Sequence, residues 1–67
     1  MTIRFEYWQS EVDGQWYFQM RAANNGVIMM SAGYNTMDEC LDAIDLIQTY
    51  AEIAPVVQPD VNITTYN

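Results

Sequence analysis

Sixty-seven residues with nine acidic side chains, two arginines and no lysine or histidine carry a formal charge of −7. That balance excludes binding to nucleic acid or to an anionic membrane surface, because both need Lys and Arg against phosphate. A chain of this length buries only about 60% of the surface its unfolded form exposes, so one small domain over residues 1–67 is expected, and a hydrophobic share of 51% excludes a disordered acidic tail.

In chain order, Ile3-Arg4-Phe5-Glu6-Tyr7-Trp8-Gln9 alternates with period two and predicts a first strand over 3–9, with Ile3, Phe5 and Tyr7 on one face and Arg4, Glu6 and Trp8 on the other. Ser10 to Gly14 is a turn, and its Asp13-Gly14 pair is a signal for positive φ. A second strand over 15–23 points Trp16, Phe18, Met20 and Ala22 toward the helix and Tyr17, Gln19 and Arg21 away from it. Asn24-Asn25-Gly26 predicts a type I′ hairpin turn. The third strand, 27–31, contains Val27-Ile28-Met29-Met30 without alternation, which implies apolar cover on both faces or a buried edge. Gly33 breaks the strand.

A helix over 36–52 follows. Thr36 and Glu39 have capping-box spacing, with the hydroxyl accepting from the Glu39 amide and the carboxylate reaching back to the Thr36 amide. Cys40, Ile44, Ile47 and Ala51, flanked by Met37 and Leu41, form an apolar stripe at helical spacing. Pro55 and Pro59 punctuate a linker, and the β-branched segment 61–66 predicts a fourth strand. The expected fold class is α+β: an antiparallel β-sheet of three to four strands with one amphipathic helix packed on one face, in the order β-β-β-α-β.

The chemistry implied is sparse. Without histidine there is neither a Ser-His-Asp triad nor a histidine metal cluster, and Cys40 as the one cysteine permits no intrachain disulfide and reads as a core residue. Nothing resembles a phosphate-cradling loop, so no cofactor, metal or catalytic residue is expected and the protein reads as non-enzymatic. A carboxylate pair such as Asp38 and Asp42 could hold a divalent cation, but the outer face of a helix is convex and wet, unlike a site. Trp8 and Tyr17 are either an interaction surface or a cross-strand packing pair. No basic segment leads into an apolar run near the N-terminus and no apolar stretch approaches ~18 residues, so a cytoplasmic location is expected.

The outer helix face is acidic. Asp38, Asp42, Asp45 and Glu52 repeat in a four-three rhythm with only Thr49 interrupting, and no Lys or Arg lies within the helix. Neighbours at these spacings stand roughly 5–6 Å apart and repel by a few tenths of a kcal/mol per pair. A one-signed face of this kind steers toward a basic partner. The expected partner-binding residues are Asp38, Glu39, Asp42, Asp45 and Glu52, with Glu11 and Asp13 of the first turn as possible extensions of the row.

From Trp16 to Ile44 the chain resembles YegP-type domains. Their pattern is an aromatic strand leading through Ala-Ala-Asn-Gly into an Ile-containing strand, then Ser-x-Gly-Tyr and a Ser/Thr-capped helix; Trp16, Phe18, Arg21, Ala22, Asn24, Ile28, Ser31, Gly33, Tyr34 and Ile44 fall on it without a gap. The resemblance implies a β-β-β-α-β unit that pairs with a second unit, in tandem or as a homodimer, into one sheet with the last strands exchanged. It carries no established activity. The acidic helix and the longer tail depart from the pattern. In size and charge alone the chain also resembles phage-encoded anti-CRISPR proteins that act on type I Cascade complexes. Two functions are therefore expected in parallel. One is an acidic inhibitor mimicking nucleic-acid charge in a basic DNA-binding groove, in the host cytoplasm. The other is a YegP-like interaction or structural module, monomer or strand-exchanged homodimer.

Overall fold

The structure is a computed structural model that describes residues 3–59, so the expected strand at 61–66 lies outside the described residues. Three strands, β1 (Arg4–Gln9), β2 (Trp16–Arg21) and β3 (Val27–Met30), form an antiparallel sheet in the order β1-β2-β3, and one helix, α1 (Met37–Tyr50), follows. The class is α+β.

Alternation in β1 and β2 sorts side chains onto two faces because the register opposes like with like. Phe5 lies opposite Met20 and Tyr7 opposite Phe18, whereas Glu6 lies opposite Gln19 and Trp8 opposite Tyr17. The helix packs on the first of these faces, over β2 and β1. Phe18 (2% exposed), Cys40 and Ile44 are the buried centre, and Phe5, Trp16, Met29, Tyr34, Leu41, Ala43 and Ile47 close around them. Phe18 meets Phe5 edge-on at 6.0 Å between ring centroids and lies parallel to Tyr34 at 6.2 Å, both favoured aromatic geometries. At the ends of the predicted stripe Met37 and Ala51 are exposed, so contact is concentrated in the central turns of the helix.

The first turn behaves as its residues dictate. Gly14 takes φ +74°, Ser10 and Gln15 pair through backbone, and Gly14 N–H donates to Ser10 C=O. The second hairpin is of a different kind from the type I′ turn expected. Type I′ requires positive φ at both central residues, but only Asn25 is positive, at +71°. Asn25 N–H donates to Ala22 C=O and Ala22 N–H to Gly26 C=O, so the loop is one residue longer, with Asn25 the single left-handed position.

The missing alternation in β3 also has a local cause. Met20 pairs with Met29, but Arg21 pairs with Val27, so Ile28 is an inserted residue in a bulge. A bulge shifts the face on which later side chains emerge, and an apolar run then needs no cover on both sides: Val27, Ile28 and Met30 are all exposed on the sheet edge.

Thr36 caps the helix in extended conformation, its Oγ1 accepting from Glu39 N–H at 3.1 Å. The return bond differs from the expected box, because the Glu39 carboxylate accepts from Asn35 N–H at 3.2 Å rather than from Thr36. The helix ends at Tyr50, where Ala51, Ile53 and Ala54 N–H groups close the final turn onto Ile47 and Tyr50 carbonyls.

Candidate functional site

The outer helix face carries Asp38, Asp42 and Asp45, all exposed. Asp38 and Glu39 sit in the first helical turn, where the partial positive charge of the helix N-terminus favours anions, and no basic residue occupies the last turn. The other predicted residues part company with this row. Glu39 is engaged in the cap. Glu52 lies in the turn beyond the helix and Glu11 in the first turn, both exposed. Asp13 is committed to the fold: its carboxylate accepts from the Tyr17 hydroxyl at 2.5 Å and from Gln15 N–H at 2.9 Å. Those two donors hold the Asp13 carboxyl below its ordinary range, and the same contact raises the Tyr17 hydroxyl.

The opposite surface, the open face of the sheet, holds a network that alternation alone did not single out. Glu6 accepts from Arg21 Nε at 2.8 Å and from Gln19 Nε2 at 2.9 Å on one oxygen, and from Arg4 Nε at 2.9 Å on the other. Arg4 Nη2 also donates to Asn25 Oδ1 at 2.9 Å, and Arg21 Nη1 to the Asn25 backbone carbonyl. Gln19, only 8% exposed, thus has its amide donor satisfied. Hydrogen bonds from Gln19, Arg21 and Arg4 lower the Glu6 carboxyl from 4.5 to about 2. Both arginines of the chain are therefore held at one carboxylate. Period two had placed Arg4, Glu6 and Arg21 on one face; the strand register was needed to bring Arg21 across to Glu6.

Trp8 and Tyr17 lie directly opposite one another and stack at 6.1 Å with 21° between their planes. They form a cross-strand packing pair. Gly33 of the Ser-x-Gly-Tyr segment has a steric reason: a Cβ there would run into Gln15 Oε1 and come within 3.1 Å of the Tyr17 hydroxyl. The Gln15 side chain passes over this glycine to donate to Asn35 Oδ1 at 3.2 Å, tying the start of β2 to the helix cap.

Among the described residues, no group of three or more His, Cys, Asp or Glu side chains is placed to hold a metal ion. The Cys40 thiol is buried in the core, and desolvation pushes its pKa up, the opposite of what makes a thiolate reactive. No helix among the described residues is long and apolar enough to cross a membrane.

A family model described as "Domain of unknown function (DUF1508)" matches residues 12–58, from the first turn to the segment after the helix. No curated protein and no solved structure matches the chain.

Proposed function

The chain belongs to the DUF1508 family, the YegP-like domains, and from that premise we propose that it is a non-enzymatic binding module whose outer helix face docks on a basic protein surface. One observation carries this reading: the chain's only two arginines are both held by Glu6 on the far side of the sheet, so that among the described residues no basic side chain pairs with Asp38, Asp42 or Asp45. Fixed anions about 5–6 Å apart along a helix are spaced on the order of phosphate charges along a DNA strand, and a basic cleft gains from releasing its counter-ions to either. In its most specific form the module is a cytoplasmic anti-CRISPR inhibitor that occupies the DNA-binding groove of a type I Cascade complex.

The test is competition with DNA. Purified Cascade is mixed with target duplex and increasing amounts of this protein, at low and raised salt. The expected result is loss of DNA binding that weakens steeply with salt, and that disappears when Asp38, Asp42 and Asp45 are all changed to Lys. Failure of the wild-type protein to displace DNA removes the Cascade form; displacement that survives the triple reversal removes the helix face as the cause.

A second reading, the homodimeric module, is favoured by a different observation. Val27, Ile28 and Met30 on the β3 edge, and Leu46, Tyr50 and Ile53 at spacings of four and three along and beyond the helix, are exposed apolar side chains. Among the described residues β3 is an edge of the sheet, and an apolar edge strand is one that another chain can pair with. Light scattering of the eluting protein separates the two: a dimer that dissociates on Ile28→Lys supports this reading, and a monomer at all concentrations removes it.

A further inference from the structure

We infer that Asn25 is a site of covalent self-modification, at which the backbone amide of Gly26 closes on the Asn25 side chain and converts it to aspartate and isoaspartate. Three features converge on this one residue. Asn25 is followed by Gly26, whose missing side chain leaves the approach of its nitrogen unhindered. Asn25 is exposed at the tip of the β2–β3 hairpin, open to the water and hydroxide that the reaction consumes. Its side-chain oxygen already accepts a charged hydrogen bond from Arg4 Nη2 at 2.9 Å, and a donor at that oxygen stabilises the negative charge that develops there when a nucleophile adds to Cγ.

The chemistry needs no partner beyond solvent. Hydroxide takes the proton from Gly26 N and becomes water, the nitrogen bonds to Asn25 Cγ, water returns a proton to Nδ2, and the Cγ–Nδ2 bond breaks with release of ammonia and regeneration of hydroxide, giving a cyclic succinimide. Water then opens the ring. Attack at Cγ yields aspartate in the ordinary backbone; attack at the backbone carbonyl yields isoaspartate, with the chain rerouted through Cγ. Gly26 N–H donates to Asn24 Oδ1 at 2.9 Å, so that exposed contact opens first. Asn24, Asn35 and Asn62 lack the combination: Asn24 precedes Asn25, Asn35 precedes Thr36 and Asn62 precedes Ile63, and each of those neighbours carries a Cβ that crowds the attack.

Both products act on the sheet rather than on the helix acids. An aspartate at this position competes with Glu6 for Arg4. An isoaspartate lengthens the backbone inside the loop that Ala22 N–H closes onto Gly26 C=O at 2.7 Å, and unpairs the tip of the hairpin.

The experiment incubates the intact folded protein in mildly alkaline buffer, follows each asparagine by peptide-mapping mass spectrometry, and labels isoaspartate enzymatically with an isoaspartyl methyltransferase. Conversion is expected at Asn25, with Asn24 and Asn35 remaining amides. Gly26→Ala should suppress it while the fold is kept, because the added Cβ meets only the flexible Asn24 side chain, at 3.1 Å, and Gly26 has no positive φ. Arg4→Met should slow it by on the order of tenfold, less than loss of a buried oxyanion donor because this guanidinium faces water. An Asn25 amide that persists as long as those of Asn24 and Asn35, or conversion unaffected by Gly26→Ala, overturns the site. Equal or faster conversion in folded Arg4→Met overturns the part given to the arginine.

Discussion

On the open face of the sheet, Arg4, Glu6 and Arg21 are tied together through bonds of 2.8 to 2.9 Å, whereas on the outer face of the helix Asp38, Asp42 and Asp45 stand exposed with no cation on their element. Both faces are solvent-facing and both are polar. The difference is in what their charges do. On the sheet, one carboxylate gathers both cations of the chain and also satisfies Gln19, so charge there holds two strands and the second hairpin together. On the helix, like charges three and four residues apart oppose the fold slightly and are free to act on something outside it. A net charge of −7 is therefore not spread evenly, because both arginines are used on one side.

Phe18 supports both faces, since its ring fills the core under the helix while its strand carries Tyr17 and Gln19 to the other side. Phe18→Ala should cost about 3–5 kcal/mol through lost burial and a residual cavity, comparable to the whole stability of a domain this small. Urea unfolding or loss of near-ultraviolet circular dichroism checks it. Retention of a cooperative transition close to that of the wild type would show that the core lies elsewhere.

A smaller effect, with a distinctive pH signature, is expected on the sheet face. Glu6→Gln keeps the shape of the side chain but withdraws the charge that Arg4 and Arg21 share, so the melting temperature at neutral pH should fall. The sign follows from the titration. The folded Glu6 carboxyl is lowered from 4.5 to about 2, so the folded state binds fewer protons at this group than the unfolded state between those values. Its contribution to stability is fully present above about pH 4.5 and is lost as pH falls through about 2. Asp13, also lowered, adds a loss in the same direction. Wild type and Glu6→Gln should therefore differ most near neutrality and converge in acid; a constant offset down to pH 2 would mean that the carboxylate charge is not what holds the network.

The smallest effect should have the opposite sign. Asp42 has Asp38 four residues before it and Asp45 three after it, and Asp42→Asn removes two repulsions worth roughly 0.2–0.5 kcal/mol each without changing side-chain size. Stability should rise slightly at low salt and the gain should shrink as salt is added. A loss of stability would show that this face is compensated after all.

Several of these features were legible before any coordinates. The alternation from Phe5 to Tyr7 and from Trp16 to Met20 placed β1 and β2 and chose their buried faces, because a pleated strand with one covered face must alternate. Cys40, Ile44 and Ile47 located the helix and its inner side, and Thr36 its first residue. Other features were hidden for definite reasons. The bulge at Ile28 leaves no mark in a run of four apolar residues, so the run itself does not choose between cover on both faces and an edge that meets something else; within this chain Val27, Ile28 and Met30 are exposed. Asn24-Asn25-Gly26 marks a hairpin, but whether one or two residues enter the left-handed region depends on how Ala22 and Gly26 pair. Asp13 read as a surface anion because Tyr17 lies in the following strand, and only the fold of the first turn brings its hydroxyl back to the Asp13 carboxylate.

Hydrophobic period and local capping act over a few residues, and they suffice for the order of the four described elements, the helix-facing sides of β1 and β2, the inner side of α1 and the one-signed outer row. The tertiary structure alone decided where the cations went. Arg4 and Arg21 are seventeen positions apart in the sequence, and only the antiparallel register of β1 and β2 sets them opposite one another and beside a single carboxylate. Short-range patterns tell a side chain which way to face; long-range pairing chooses its partner, and here that choice separates the charges that hold the fold from those left to meet another molecule.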